Sequence, residues 1–291
     1  MELDEECKAC LYKSQLKKIE STHSDRTKLQ KFKEEVKNLL KNPPANYCAP
    51  LLMRDINGIS RKIFGQDIDY SAEKTLFNNS LLALEEQLYA EISTAPDPLC
   101  EALKFTMAAN YIDFARLSDL TVGAVDYVLS AAKRAEPEKT AYDKLKYKLK
   151  TAKTLCFLHD NCGEIVLDKI LIRVIKQNYP QIEITSVVRG SAIINDVTKK
   201  DAEETGLTDF ANVIDNGTGV PGTYLKEVNP QTLKTLKTSD IIISKGLGNL
   251  ETLYGEGYSV FYSFTCKCGH ISKRFGAPLW SAVFIEENVK I

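Results

Sequence analysis

The chain has 291 residues, a formal net charge of −1 and 44% hydrophobic residues. Such a length suits two domains or one large one with a sizeable core, and the near-neutral balance offers no electrostatic footprint for nucleic acid. No apolar run approaches the ~20 residues of a membrane span, the acidic start Met1-Glu2-Leu3-Asp4-Glu5-Glu6 argues against a signal peptide, and eight cysteines predict reduced thiols in a cytoplasm rather than a disulfide scaffold.

Helical patterns follow one another through the first half. Ser24 reads as the N-cap of a charged helix running to about Leu40, closed by Pro43-Pro44. Ser71 opens a long helix through Leu81, Leu84 and Leu88 towards Ile92, with leucines spaced as on one buried face. Asp97-Pro98 starts another, through Leu103, Phe105, Met107, Ile112 and Phe114. Ser118 begins one more, and Lys139 to Lys153 is a basic, Tyr- and Leu-studded helix.

Near residue 150 the pattern changes to alternating strands and helices. Thr154–Leu158, Ile182–Val188, Asn212–Ile214, Asp240–Ser244, Ser259–Phe264 and Ser281–Ile285 read as strands, several of them apolar on both faces. Most intervening segments have helical length. The expected fold is therefore α/β, a doubly wound, mostly parallel, Rossmann-like sheet over residues 151–291, preceded by an all-helical domain over residues 1–150.

Polar clusters then fall at successive strand ends. The first strand ends in His159-Asp160-Asn161 and leads into a helix from Glu164 to Gln177. The second ends in Arg189-Gly190, followed by Asn195-Asp196. The third ends in Asp215-Asn216-Gly217, the fourth in Lys245-Gly246-Leu247-Gly248-Asn249, and the fifth in Cys266-Lys267-Cys268. If these strands are parallel, the clusters share the sheet edge where open α/β proteins bind ligands. Asp160, Asn161 and Asp196 offer hard oxygen ligands for a divalent cation, which would polarise a phosphoryl oxygen and acidify a bound water. Lys245 precedes glycines Gly246 and Gly248, which let backbone approach an anion, and a helix starting near Asn249 would aim its free amides there.

Each residue also has a plainer reading. Asp160 and Asn161 alone read as a helix N-cap, Asp196 as a cap before Thr198, and Lys245 as a solvated residue after a strand. Asn216-Gly217 reads equally as a turn, Arg189 as a partner for a surface acid, and Asn110 and Asp113, three apart on a helix, as groups that satisfy buried backbone. Cys7 and Cys10 form a CxxC that Cys266, Cys268 and His270 could complete as a zinc site, although no second CxxC exists. His159 and His23 read as ordinary residues.

The strings Asp160-Asn161-Cys162-Gly163-Glu164, Arg189-Gly190 with Asn195-Asp196, Asn216-Gly217 with Pro221-Gly222-Thr223, and Lys245-Gly246-Leu247-Gly248-Asn249 resemble the damage-control phosphatases, formerly called domain of unknown function 89. The likeness extends to Cys7-Lys8-Ala9-Cys10, to Asp69-Tyr70 with Lys74 and Asn78, and to Asn110-Tyr111-Ile112-Asp113-Phe114, so it covers nearly the whole chain in order. The CxxC start is similar to the prokaryotic-type branch. The resemblance implies a metal-dependent phosphatase of small phosphorylated metabolites, with Asp160, Asn161 and Asp196 as metal ligands and Lys245 and Asn249 in the phosphate motif. Arg189, Asn216, Asn110 and Asp113 join Gly246 and Gly248 as candidate substrate contacts. Cys162 stands where Ala is usual, Leu247 where Gln is common, Asp215 where a neutral residue is usual, and Ser191-Ala192 where a Gly-Pro type sequence is usual.

The rivals are weaker. A methyltransferase or dehydrogenase needs a Gly-rich first turn, and only Gly163 is present there. A phosphatase using Asp160 as covalent nucleophile normally carries a second Asp two residues on, where this chain has Cys162. A structural metal-binding protein leaves the phosphate elements unexplained. The expected cofactor is Mg²⁺, Mn²⁺, Co²⁺ or Ni²⁺, and the expected partner is a small phosphorylated metabolite rather than nucleic acid or membrane. Oligomeric state and substrate are left open at this stage.

Overall fold

The computed structural model describes residues 1, 3–67, 69–110 and 122–287. Among these, eight helices precede the first strand: α1 Glu5–Thr22, α2 Arg26–Lys41, α3 Ala49–Phe64, α4 Ser71–Leu82, α5 Glu85–Ser93, α6 Pro98–Ala109, α7 Val122–Arg134 and α8 Lys139–Leu149. No helix among the described residues is long and apolar enough to cross a membrane.

Local chemistry explains most helix ends. Asp25, not Ser24, caps α2, its carboxylate accepting from Lys28 N at 3.0 Å. Asp97 caps α6 ahead of Pro98 as read from the sequence. The single helix expected from Ser71 to Ile92 is two. At Ala83–Leu84 the Leu84 amide bonds Leu81 O, a tighter i→i−3 turn, and α5 leaves on a new axis. Glu85 is thereby placed against Lys169 and Arg173. The helix expected to run to Phe114 ends at Ala109; Ile112, Asp113, Phe114 and Ser118 lie outside the described residues. Helix α8 stops at Leu149 rather than Lys153, in a turn that leads to the first strand.

The second half alternates β1 Thr154–Leu158, α9 Glu164–Asn178, β2 Glu183–Val188, α10 Lys199–Glu204, β3 Asn212–Asp215, α11 Pro230–Thr238, β4 Ile241–Lys245, α12 Gly246–Leu253, β5 Val260–Thr265, α13 Gly269–Phe275 and β6 Ala282–Glu287. The sheet order is β3-β2-β1-β4-β5-β6. Strands β1 to β5 are parallel, and β6 runs antiparallel to β5 at the edge. Chain order reverses between β1 and β4, the switch point at which open sheets of this kind leave a crevice beyond their C-terminal ends.

Helices cover both faces. Leu155, Phe157, Ile241 and Ile243 point into one layer with α6 and α9, where Leu103, Met107, Ile170 and Leu171 are buried. Cys156, Leu158 and Ile242 point into the other with Leu236, Leu250 and Ile271. The period of two along each strand fixes this division. Helices α1 to α3 keep a core of their own around Ile19, Phe32, Val36, Leu52 and Ile56. By contrast, Leu81 of α4 and Leu145 of α8 belong to the same core as the sheet.

Candidate active site

The site begins where β1 meets the segment after β2. Cys162 N–H donates to Asn195 O and Val197 N–H to Asp160 O, both at 2.9 Å. Asn161 and Asp196 face each other in an isolated antiparallel bridge. Main-chain bonds therefore bring Asp160, Asn161 and Asp196, from two distant stretches of sequence, to one corner at the β1–β4 switch. Gly246 closes that corner. Its φ is +77°, and a Cβ there would stand 2.0 Å from Asp160 Oδ2, so only glycine lets the start of α12 approach the carboxylate.

Arg189, 1% exposed, lies between the two aspartates. Its Nε donates to Asp196 Oδ2 at 2.6 Å, and its Nη2 stands 3.6 Å from Asp160 Oδ1. The Nη1 and Nη2 atoms make no hydrogen bond among the described residues. Arg189, with the more remote charges of Lys267 and Lys74, does not offset the burial of the two carboxylates. Burial, then Asp196 and Glu164, push Asp160 well above the usual aspartate range. Burial likewise raises Asp196 to about 6 against the pull of Arg189. The corner is short of positive charge, which is the condition under which a cation binds.

Behind it lies a second ion group that the sequence reading missed. Lys245 has no exposed surface. Its Nζ donates to Thr106 O of α6 and stands 3.3 Å from both Glu164 Oε2 and Asp168 Oδ1 of α9. Burial works against its charge, but Asp168 and Glu164 outweigh that and raise it above the ordinary lysine range. Asp168 Oδ2 lies 3.2 Å from His159 Nδ1, and His159 Nε2 lies 3.0 Å from Ser186 Oγ. The structure thus differs from the expectation of Lys245 on the phosphate side: the ammonium faces two carboxylates and a carbonyl beneath the corner. Glu164 and Asp168 could have been noticed as acids four apart that bracket the apolar run Ile165-Val166-Leu167 of a helix, where burial would require a counter-charge.

Glu164 also joins the two groups. Its Oε1 accepts from Asn161 Nδ2 at 2.7 Å and from Asn110 Nδ2 at 2.8 Å. The same two amide nitrogens reach Asp160 Oδ2, at 2.8 and 3.2 Å. Asn110, the C-cap of α6, does both things its residue type allowed: its Nδ2 reaches Glu164 and Asp160, and its Oδ1 accepts from the buried backbone N–H of Thr265. Asp113 lies outside the described residues.

Asn216 and Asn249 take structural positions. Asn216 Oδ1 accepts from Gly190 N and Thr218 N, and its Nδ2 donates to Gly222 O. Asn249 Nδ2 donates to His159 O and Lys245 O, while its Oδ1 accepts from Thr223 Oγ1. Both are fully buried and tie loops together. Gly248 packs against Pro221, where a Cβ would stand 2.1 Å from the carbonyl oxygen. Asp215 pairs with Lys199 at 2.6 Å, which lowers it below the usual range, and Leu247 packs on the apolar cluster around Leu250.

The residue types fit a hard divalent cation: the two buried carboxylates of Asp160 and Asp196, with the carboxamide of Asn161 beside them. No group of three or more His, Cys, Asp or Glu among the described residues is placed to hold a metal ion. For the same reason the CxxC carries no assembled zinc site. Cys7 lies in the first turns of α1, burial and Glu251 raise its thiol to about 11, and all eight cysteines are free. A cavity of about 810 Å³ lies between α3–α4 and the segments after β2; Asp160, Asn161, Arg189 and Asp196 are not among its lining residues. Arg54, Asn57, Tyr70, Lys74, Ser191 and Ile194 line it, and the turn closed by Asp196 N to Ile193 O bounds the side nearer Asp196.

The chain matches a family model described as the damage-control phosphatase ARMT1-like domain over residues 3–283. An uncharacterized protein of Methanocaldococcus jannaschii is 25% identical over 97% of this chain and 94% of its own. A protein named damage-control phosphatase from Pyrococcus horikoshii is 30% identical over 65% of this chain and 66% of its own. Another from Archaeoglobus fulgidus is 33% identical over 44% of each. The crystal structure of a family protein from Pyrococcus horikoshii superposes with a TM-score of 0.85 over 99% of this chain and all of its own, at 23% identity.

Proposed function

The chain belongs to the damage-control phosphatase ARMT1-like domain family, and we propose that it hydrolyses small phosphomonoesters with a divalent cation held by Asp160, Asn161 and Asp196. The observation that carries this reading is the corner itself: two buried carboxylates with raised proton affinity and one carboxamide, fixed by main-chain bonds at the β1–β4 switch. When bound, the cation would polarise a phosphoryl oxygen and lower the pKa of a water. The protein's own residues do the rest. Arg189, with two buried guanidinium nitrogens free of hydrogen bonds, is the group suited to the phosphoryl oxygens. The N-terminal end of α12, seated on Asp160 through Gly246, adds its dipole and first amides. Lys245 acts from behind, as a fixed charge 3.3 Å from Glu164 Oε2 that holds this side chain in place.

The cavity between α3–α4 and the segments after β2 has the size of a small-metabolite pocket, since ligand pockets run to roughly 300–1,000 Å³, and Ser191 to Ile194 in its wall lead along the chain to Asp196. Its lining of charged and hydroxyl side chains favours a polar leaving group. A covalent mechanism through Asp160 is less favoured: Cys162, two residues on, is wholly buried in the core, so no acid is available at that position. The deciding measurement is turnover of p-nitrophenyl phosphate after chelation and after refilling with Mg²⁺, Mn²⁺, Co²⁺ or Ni²⁺. Full turnover by metal-stripped protein in excess chelator would overturn the proposal.

A further inference from the structure

An asparagine serves as a cation ligand only when its oxygen, not its nitrogen, faces the ion. The structure shows what decides this for Asn161. Asn110 Oδ1 accepts from the backbone N–H of Thr265 at 3.0 Å. That N–H can only donate, so the orientation of the Asn110 amide is fixed and its Nδ2 must face Glu164 and Asp160. The Asn161 amide end that lies 2.7 Å from Glu164 Oε1 and 2.8 Å from Asp160 Oδ2 must equally be nitrogen, because an oxygen there would face two carboxylate oxygens. Glu164 is itself held: no part of it is exposed, and its other oxygen faces Lys245, which Asp168 grips from the far side and the Thr106 carbonyl from a third. His159 and Ser186 in turn brace Asp168.

We propose that Glu164 is a positioning residue: its carboxylate, locked from behind by Lys245 and Asp168, claims the amide nitrogen of Asn161 and so presents the amide oxygen to the cation. This inference rests on the cation-dependent reading above. Groups that orient a metal ligand typically contribute 10–100-fold in metal affinity. A merely structural role for Glu164 would lower stability without changing the affinity of the folded protein.

The test is Mn²⁺ binding to the intact chain, read from the electron paramagnetic resonance signal of free Mn²⁺ well below the unfolding temperature, with thermal unfolding measured alongside. Glu164→Gln keeps the shape but brings an amide nitrogen that competes for the same acceptors, and it should weaken Mn²⁺ by about 10-fold or more. Adding Asn161→Asp should restore affinity to within a few-fold of the unmodified protein, because a carboxylate has oxygen at both ends and needs no orienting partner. Asp160→Ala serves as the control that should abolish binding. Unchanged affinity in Glu164→Gln, with binding lost in Asp160→Ala, overturns the positioning role and leaves the proposed function standing. A lost affinity that Asn161→Asp does not recover also overturns it. Absence of Mn²⁺ binding in the unmodified protein overturns both. Should Glu164→Gln fail to fold, Asp168→Asn takes its place: with one carboxylate removed, Lys245 draws Glu164 off the Asn161 amide, and an affinity equal to that of the unmodified protein overturns the proposal.

Discussion

Two ion groups sit back to back at the β1–β4 switch, and each sets two carboxylates against one fixed cation. In the front group Asp160 and Asp196 share Arg189, and both aspartates are pushed upward. In the rear group Glu164 and Asp168 share Lys245, which is held charged. The difference is geometric. The lysine ammonium is a compact charge centred between its two acids at equal distance, with a carbonyl as third partner. The guanidinium is committed to Asp196 through one edge and stands off from Asp160. One group carries its cation within the fold, and the other is left short of one. A similar inventory of charges thus builds a strut in one place and the proposed cation site in the other.

The sharpest way to break this comparison is to neutralise one acid of the front group. Asp160→Asn should cut kcat/KM on p-nitrophenyl phosphate by on the order of 10³ or more, about 4 kcal/mol of transition-state stabilisation. The same change should leave urea stability in chelator equal or higher, since a buried charge with poor compensation is removed. Loss of stability comparable to a core substitution would place Asp160 with the struts.

The mirror experiment removes the rear cation. Lys245→Met leaves Glu164 and Asp168 buried without a counter-ion and should destabilise the protein by roughly 3–5 kcal/mol, read as a lower urea midpoint. If Lys245→Met folds with unchanged stability and fails only in phosphate or vanadate affinity, the lysine belongs to the front group and to the substrate.

A third test uses pH on the cation-free protein. Asp196 titrates near 6 when folded, against about 4 in an unfolded chain. Between these values the folded state binds more protons than the unfolded, so this group's contribution falls as pH rises from about 4 to 6 and is level on either side. Asp196 should contribute a loss of roughly 1–3 kcal/mol across that window, and Asp196→Asn should remove that share while the loss from Asp160, raised as well, remains. Saturating Mn²⁺ should reverse the trend, because the ion competes with protons for the same oxygens. A pH profile in chelator that is identical in Asp196→Asn would show that the aspartate is already compensated.

The smallest effect on stability is expected at an exposed pair. Arg61 and Asp67 form a two-pronged pair at 2.9 and 2.8 Å, but with 64% and 43% of their side chains exposed. Arg61→Ala should shift stability by no more than about 0.5 kcal/mol, which calibrates how much burial matters in the other two.

Much of the fold was legible because the strands are apolar on both faces and bounded by polar clusters. Thr154–Leu158 was read with its observed limits, and β1 to β5 do run parallel, which is why their ends converge. The reversed edge strand β6 was not legible, since a segment of similar length serves either direction. The single helix expected across Ala83–Leu84 failed because leucine spacing is preserved through a tight turn. At the corner, Asp160, Asn161 and Asp196 were read as one set and the structure brings them together. Lys245 was read from its glycine neighbours, and that signal concerns backbone, not side-chain direction. Its direction follows from the strand period instead: Ile241 and Ile243 point into the layer of α6 and α9, and Lys245 continues that row. Asn216 and Asn249 looked like ligand contacts because buried amides and substrate-binding amides share the same residue type, and only their partners tell them apart.

The reach of α6 into the corner bears on modularity. Thr106 supplies a carbonyl to Lys245 and Asn110 an amide to Glu164, while Asn78 of α4 accepts from Gly163 N where α9 begins. The change of pattern near residue 150 is therefore not a seam along which the chemistry could be lifted out. A transplanted α/β half would expose the face of α9 that α6 covers and would leave a buried lysine short of a partner. Any new helical companion would have to return one carbonyl and two amides to the same three places, so the two halves are free to vary their surfaces but must inherit this join together.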